Sequence, residues 1–257
     1  MNKRLEYLIT MGCSFSEDFW PYFFGKIVNR KRLQPILEVI NKSRGGVGNF
    51  YIVNKLYETI DTLIPDEGPR RLWIKYNSDN SIVIVMWSGI DRVDLVVNDE
   101  EFYHFKRVVS RDQWVHSGGT DTKKLQKVFS KDRYWHNYYK TYHTEEDSYI
   151  QTLQHMLGAQ EFLTNRKIPY LFLTYKDIFT DRWRKYKRAK KLEDNIIWDS
   201  FHFPNGKFGG LDEWVEDYKL HPRLKYHNKS FSHPSLKMHH KFAEYLYNLE
   251  EFRYLFT

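Results

Sequence analysis

The chain has 257 residues, a formal charge of +7, one cysteine and 18 % aromatic side chains. That length supports one large α/β domain or two small ones, and a single cysteine, Cys13, excludes an internal disulfide and a cysteine-rich zinc site. No apolar run approaches the roughly 18 residues of a membrane span, and the start, Met1-Asn2-Lys3-Arg4 before a brief apolar stretch, lacks the long apolar region of a signal peptide. The expected setting is therefore the cytoplasm, or a particle assembled there.

Tyr7-Leu8-Ile9-Thr10-Met11 reads as a buried first strand, and Trp20 to Val28 has helical spacing. Between them lies Gly12-Cys13-Ser14-Phe15-Ser16-Glu17. A serine on a tight strand-to-helix turn exposes its hydroxyl beside unpaired backbone N–H groups, which suits a nucleophile; Ser14 or Ser16 in that place also suits a helix cap. Ile36 to Ile40 reads as a second strand running into Asn41-Lys42-Ser43-Arg44-Gly45-Gly46-Val47-Gly48-Asn49. Its glycines either allow a close backbone approach or make an ordinary turn. Val53, Leu56, Ile60 and Leu63 then recur at helical spacing. The turn is neither a dinucleotide fingerprint, for want of a third glycine in place, nor a phosphate loop, for want of its lysine.

After a turn-rich connection around Pro65 and Gly68-Pro69, Ile82-Val83-Ile84-Val85-Met86 is a continuous run suited to a strand covered on both faces. It ends in Trp87-Ser88-Gly89-Ile90-Asp91-Arg92, polar residues where open α/β sheets bind ligands. From 98 to 147 the pattern gives way to a stretch rich in Trp, Tyr and His, including Trp114, Tyr134, Trp135 and His143. It is too long for a simple crossover and reads as an insertion or lid over a site. Ile150, Leu153, Leu157 and Phe162 mark a helix, and Ile168 to Leu173 a fourth strand. The region 177–229 is irregular apart from a helical turn near Leu211–Val215, and Ser230-Phe231-Ser232-His233-Pro234-Ser235 precedes a final helix carrying Phe242, Tyr245, Leu246 and Leu249. Strands alternating with helices predict one α/β domain over 1–257: a three-layer α/β/α fold with a parallel, flavodoxin-like sheet.

Two further features bear on partners. The block Arg182 to Lys191 interleaves basic residues with two aromatics; it suits nucleic-acid binding or is a solvated face. The histidines His233, His239 and His240 lack the i, i+4 pairing of a helical zinc site, so neither a metal nor a cofactor is expected. His202 and His221 read as structural or pocket-lining residues.

In order, a serine after strand one, a glycine turn after strand two, a polar turn after strand three and a histidine before the last helix resemble the SGNH/GDSL hydrolase superfamily. Gly12-Cys13-Ser14-Phe15-Ser16 is similar to its first block, with Ser14 at the nucleophile. Gly45-Gly46-Val47-Gly48-Asn49 stands where the second block supplies a backbone oxyanion donor, and Gly89-Ile90-Asp91-Arg92 where the third supplies an asparagine donor. His233 in His-Pro-Ser stands at the catalytic histidine. Phage-encoded relatives with Gly-Cys-Ser-Phe and a terminal His-Pro-Ser-x-x-x-His are also similar, and here His239 follows His233 by six residues.

The resemblance implies serine-based acyl chemistry on an ester, for example the O-acetyl group of a glycan: Ser14 attacks, His233 relays the proton, and the oxyanion is held by the Ser14 N–H with Gly46 or Gly48. It also implies a helix whose N-terminus turns toward the serine. Two positions depart from the pattern. Asp91 stands where the asparagine donor is wanted, leaving Ser88 as the preferred substitute and Arg92 or Asn49 as others, with Trp87 beside them as a pocket residue. Ser230 stands where the carboxylate partner of the histidine is wanted, leaving Asp199, Asp212 or a main-chain carbonyl to orient His233, or a Ser-His dyad. The alternatives are a non-catalytic SGNH-like binding or virion-associated protein and a basic nucleic-acid-binding protein. The expected partner is a small ester or acylated glycan, without a membrane.

Overall fold

A computed structural model of the chain describes residues 5–17, 19–31, 37–61, 64–65, 73–74, 76–96, 114–117, 141, 143–206, 208–219, 226–228 and 231–250. Its centre is a four-stranded parallel sheet made of β1 (Tyr7–Gly12), β2 (Glu38–Asn41), β5 (Ser81–Trp87) and β8 (Tyr170–Thr174) in the order β2-β1-β5-β8. Two hairpins of short strands lie between them, β3 (Ile64–Pro65) with β4 (Trp73–Ile74) and β6 (Val93–Val96) with β7 (Trp114–Ser117). A third hairpin, β9 (Tyr226–Asn228) with β10 (Phe231–Pro234), precedes the last helix.

The helices are α1 (Ser14–Glu17), α2 (Trp20–Lys31), α3 (Asn49–Asp61), α4 (Glu145–Asn165), α5 (Asp181–Arg184), α6 (Lys187–Glu193), α7 (Leu211–Asp217) and α8 (Leu236–Asn248). The crossovers β1-α2-β2 and β2-α3-β5 run in opposite directions along the sheet. Right-handed crossovers therefore place α2 and α3 on opposite faces. α2 packs with α8 on one face, Trp20 meeting Phe242 edge-on at 5.7 Å, and α3 packs with α4 on the other. The expected three layers and flavodoxin-like strand order are thus observed.

Sequence and position account for these elements. All seven residues of β5 are buried, which follows from its place between β1 and β8 with helices above and below. α4 begins at Thr144, whose hydroxyl accepts from the Asp147 N–H, and α8 begins at Ser235, which accepts from the Met238 N–H. The buried stripe of α4 is Tyr149, Leu153, Met156, Ala159 and Leu163; Ile150, Leu157 and Phe162, part of the predicted apolar face, are only partly buried beside it. Most of the stretch 98–147 lies outside the described residues, as do Ser230 and His221, while Thr144 to Asp147 open α4. Among the described residues no helix is long and apolar enough to cross a membrane.

One buried amide ties the layers together at the carboxyl end of the sheet. Asn49, the first residue of α3, accepts from the Ser88 N–H at 2.7 Å and donates to the Ser88 carbonyl at 3.2 Å and to Thr152 Oγ1 of α4 at 3.1 Å. Replacing it leaves both main-chain groups of Ser88 buried without a protein partner. Asn49→Ala is expected to lower the unfolding free energy by about 3 kcal/mol in urea denaturation; an unchanged midpoint contradicts the assignment.

Candidate active site

The first turn is built around Cys13 and Gly12. The Cys13 carbonyl accepts from the N–H groups of Ser16 at 2.9 Å and Glu17 at 3.1 Å, which folds Ser14 to Glu17 into one short helix. Gly12 has no room for a side chain: a Cβ there would lie 2.7 Å from Ser16 Oγ and 3.1 Å from the Met86 carbonyl oxygen. Ser14, the first residue of α1, is half-buried, whereas Ser16 is buried with its hydroxyl 3.2 Å from Met86 Sδ. Ser16 therefore packs against β5 and does not cap the helix, because a four-residue α1 places it in the interior. The long helix begins only at Trp20, so its N-terminus is separated from Ser14 by α1.

Asn41, at the end of β2, holds this turn in place. Its side-chain amide donates to the carbonyls of Ser16 at 2.8 Å and Glu17 at 3.0 Å, satisfying acceptors that α1 leaves unpaired. Its Oδ1 accepts from the Thr10 hydroxyl at 2.9 Å and the Ser43 N–H at 3.0 Å. Beyond it the second turn follows the end of β1, with Lys42 N–H donating to the Thr10 carbonyl and Arg44 N–H to that of Gly12. Gly45 thereby comes beside the serine: its Cβ position is 3.7 Å from Ser14 Cβ.

Three of the four residues expected at the oxyanion hole, Gly48, Asn49 and Ser88, have other tasks. Gly48 donates its N–H to Asp94 Oδ1 at 2.7 Å, and a Cβ there would meet the Arg92 carbonyl oxygen at 2.9 Å, so this glycine serves close packing of the second turn on the third. Asp94 also accepts from the Tyr51 N–H at 2.8 Å and so satisfies the first turn of α3. Asn49 is committed to the clamp described above. Ser88, wholly buried, donates its hydroxyl to the Val47 carbonyl at 3.0 Å. Gly46 sits at φ +80, a conformation that requires glycine, with open space around its Cβ position. Trp87 is a core residue and not a pocket wall: it is wholly buried and meets Phe172 edge-on at 5.2 Å.

The first turn, the end of β8 and β10 meet at an aromatic column. Tyr175, directly after β8, packs its ring on Phe15 at 4.9 Å, and Phe15 also packs against the His233 ring at 4.8 Å. His233 is half-buried on β10, which packs against α1, α7 and α8. Arg92 donates to the Val47 carbonyl at 3.1 Å and lies 5.8 Å over the Tyr175 ring. Burial, assisted by the Asp91 charge, raises the Tyr175 pKa well above the tyrosine value and keeps the phenol protonated. Asp91 faces Gly89, and its charge also acts on His143, whose ring is 2.9 Å from Ser148 Oγ.

Of the carboxylates considered as partners for His233, Asp212 opens α7 and donates its N–H to the Tyr175 carbonyl at 2.7 Å, while Asp199 is exposed on the 3-10 turn Trp198–Ser200. Burial, together with Glu213 and Glu216, lifts the Asp212 carboxyl to about 6. His239 is buried, and desolvation plus the neighbouring His233 lowers its pKa to about 4. His202 is structural, bonded at 2.8 Å to Tyr245 of α8. Among the described residues no group of three or more His, Cys, Asp or Glu is placed to hold a metal ion. Sequence reasoning missed Asn41, Asp94 and Tyr175, though Tyr175 carries a positional signal, since it directly follows a strand at the ligand-binding edge.

Beside this column is a cleft of about 290 Å³ between the start of α3, the turn after β5 and the first turns of α4. Phe50 and His155 stack at 5.5 Å along one edge, and Arg92, Asp94, Asp147 and Gln151 contribute polar walls. Gln151 donates to Asp147 at 2.7 Å. Burial lowers the His155 pKa against the opposing pull of Asp94, so this ring is neutral at pH 7.

No protein-family model and no curated protein sequence matches the chain. Among solved structures it is similar to the lipase Lip_vut3 from a goat rumen metagenome, with a TM-score of 0.44, 10 % identity, and 94 % of this chain and 95 % of that one covered. It is also similar to a member of the lipolytic protein G-D-S-L family from Veillonella parvula, with a TM-score of 0.44, 10 % identity, and coverage of 96 % and 98 %.

The buried imidazole gives a pH prediction. Above about 6.5 His239 is neutral in both states; below that value the unfolded chain takes up a proton that the folded chain refuses until about 4. Stability contributed by neutral His239 is therefore lost as pH falls from 6.5 to 4, by about 3 kcal/mol at most. Asp212 titrates in the same window with the opposite sign, so the effect is read as a difference: His239→Gln is expected to lose less stability than the parent between pH 7 and pH 4.5 in thermal melts. Equal losses contradict the assignment.

Proposed function

We propose that the protein is a serine-dependent carboxylic-ester hydrolase of the SGNH type. The observation that supports this reading best is the meeting of three separate turns around Phe15: Ser14 precedes it, Gly45 lies against Ser14, and Phe15 contacts His233 at 4.8 Å. Some 220 residues of sequence separate the serine from the histidine, and a purely structural cap on α1 has no need of either neighbour.

In this reading Ser14 Oγ attacks the acyl carbonyl while His233 takes its proton, forming a tetrahedral oxyanion. Collapse breaks the carbon–oxygen bond to the alcohol, which departs with the proton from His233. Water then attacks the acyl-serine, His233 accepting its proton and returning it to Ser14 as the acid is released. Tyr175 on Phe15 keeps the column packed, and Asp212 in the neighbouring α7 is the carboxylate proposed to steady the imidazolium.

The cleft supports a substrate with a small acyl group on a polar alcohol. Its walls include Arg92, Asp94, Asp147 and Gln151 beside the Phe50–His155 edge, a lining that matches hydroxyl groups and the flat face of a sugar better than an alkyl chain. We therefore assign the substrate to acylated glycans or comparable small polar esters. A second reading, a binding protein on the same fold, draws on the commitment of Gly48, Asn49 and Ser88 to structural bonds.

The test is hydrolysis of 4-nitrophenyl acetate by the purified full chain. Ser14→Ala is expected to lower kcat by about 1000-fold or more, and His233→Ala to a similar degree, since residues of one catalytic unit fail together. Turnover by the parent protein no faster than by Ser14→Ala favours the binding protein.

A further inference from the structure

We propose that the hydroxyl of Tyr175 is the oxyanion donor that replaces the asparagine of the third turn. The inference rests on the serine-hydrolase reading above and adds to it the group that makes the third turn competent.

The need for such a group follows from the bonds already made. Gly48 N–H is held by Asp94, the Asn49 amide by Ser88 and Thr152, and the Ser88 hydroxyl by the Val47 carbonyl. Asp91, at the asparagine position, presents a carboxylate, which accepts hydrogen bonds and repels a developing negative charge. Arg92 spends one guanidinium nitrogen on the Val47 carbonyl, and its Nε is buried without a hydrogen-bond partner. Of the donors of the second and third turns, what remains of that guanidinium and the buried Ser43 hydroxyl are without a partner.

Tyr175 enters the gap from the end of the neighbouring strand. Its main chain is fixed at both sides, the N–H donating to the Trp87 carbonyl at 3.2 Å and the carbonyl accepting from the Asp212 N–H at 2.7 Å. Its ring is fixed by Phe15, the residue after the serine. These contacts bring the hydroxyl to the third turn, 3.0 Å from the Cβ position of Gly89. A Cβ at residue 89 would press first on Asp91 Oδ1 and then on the phenol, so Gly89 leaves room for both side chains. The residue is only 6 % exposed, and among the described residues no hydrogen bond engages its hydroxyl.

A phenol hydroxyl with no protein acceptor is open to an acceptor that arrives beside it. The tetrahedral oxygen on Ser14 is such an acceptor. Tyr175 keeps its proton throughout: it donates a hydrogen bond that strengthens as charge develops on the oxygen, and weakens again as the carbonyl re-forms. A phenol is a stronger donor than a carboxamide, and the raised pKa described above stops it from ionising in the working range.

The experiment compares the parent, Tyr175→Phe and Ser14→Ala as full chains, reading 4-nitrophenyl acetate kinetics, the rate of Ser14 labelling by a fluorophosphonate, and the melting temperature. Tyr175→Phe keeps the ring on Phe15 and removes only the hydroxyl, so the melting temperature is expected to stay within about 2 °C. kcat is expected to fall about 100-fold with KM changed less than about threefold, and phosphonylation of Ser14 to slow in parallel. If the parent labels at Ser14 while Tyr175→Phe labels and turns over at the parent rates, Tyr175 is a packing residue and the inference is overturned, with the hydrolase reading intact. If the parent itself neither labels nor turns over above Ser14→Ala, the hydrolase reading fails and takes this inference with it. Should Tyr175→Phe melt far below the parent, Tyr175→Trp and Tyr175→His decide: a slow but folded Trp variant with partial recovery by the His donor supports the role, and equal rates in both overturn it.

Discussion

The buried side-chain amides of Asn49 and Asn41 are the constraint on which the site depends. A parallel sheet with crossovers delivers every strand-to-helix turn to one edge, but it leaves each turn independent. Asn49 removes that independence by bonding to both main-chain groups of Ser88 and to Thr152, so the second turn, the third turn and α4 move as one body. Asn41 does the same for the first turn, taking the last carbonyls of α1 with its amide while Thr10 holds its oxygen. In a low-dielectric interior such fully satisfied amides are rigid, because any displacement strands a polar group away from water.

That rigidity explains a division of labour among the polar residues. Gly48, Asn49, Ser88 and Asp94 spend their hydrogen-bonding capacity on holding turns together, while His233 and Tyr175 gather on Phe15 beside Ser14, and Arg92 reaches from the Tyr175 ring to the cleft. Glycine appears where a Cβ would press on a neighbour: at Gly12 against the Met86 carbonyl, at Gly48 against that of Arg92, and at Gly89 against the side chains of Asp91 and Tyr175. The charge pattern follows suit. Asp94 accepts from the N–H groups of Gly48 and Tyr51, and burial lowers the pKa of His155 on the cleft edge, whose walls also carry Arg92 and Asp147. The basic block keeps Lys185, Lys187, Arg188, Lys190 and Lys191 exposed, but Arg184 turns inward to the buried Glu193 at 2.9 Å, so part of its charge serves packing.

The two inner strands were legible because they are buried on both faces. Ile82 to Met86 announces β5 by apolar continuity alone, and Leu8, Ile9 and Met11 mark β1 in the same way. Ser14 and His233 were legible from their order along the chain, as the residues after the first strand and before the last helix. What the sequence did not disclose are contacts between residues far apart in it. Nothing around Asn41 distinguishes a residue that caps α1 from an ordinary strand end, and Ser16 looked like a cap because the length of α1 is set by Cys13, Asn41 and Met86 together. Ser88 and Asn49 carried the chemistry of donors, but their bond to one another spans 39 residues. Trp87 illustrates the same limit: at the end of a strand it reads as a pocket wall, and Phe172 of the adjacent strand makes it core.

The central claim is that Ser14, His233 and Tyr175 surround one reacting carbon at the carboxyl end of the sheet. The most direct measurement is a crystal structure of the protein after reaction with a small alkyl fluorophosphonate. The account predicts phosphorus bonded to Ser14 Oγ, its unsubstituted oxygen within about 3 Å of the Ser14 N–H and the Tyr175 hydroxyl, and the His233 ring on the opposite side. An unmodified Ser14, or an adduct whose oxygen points away from Tyr175, contradicts it.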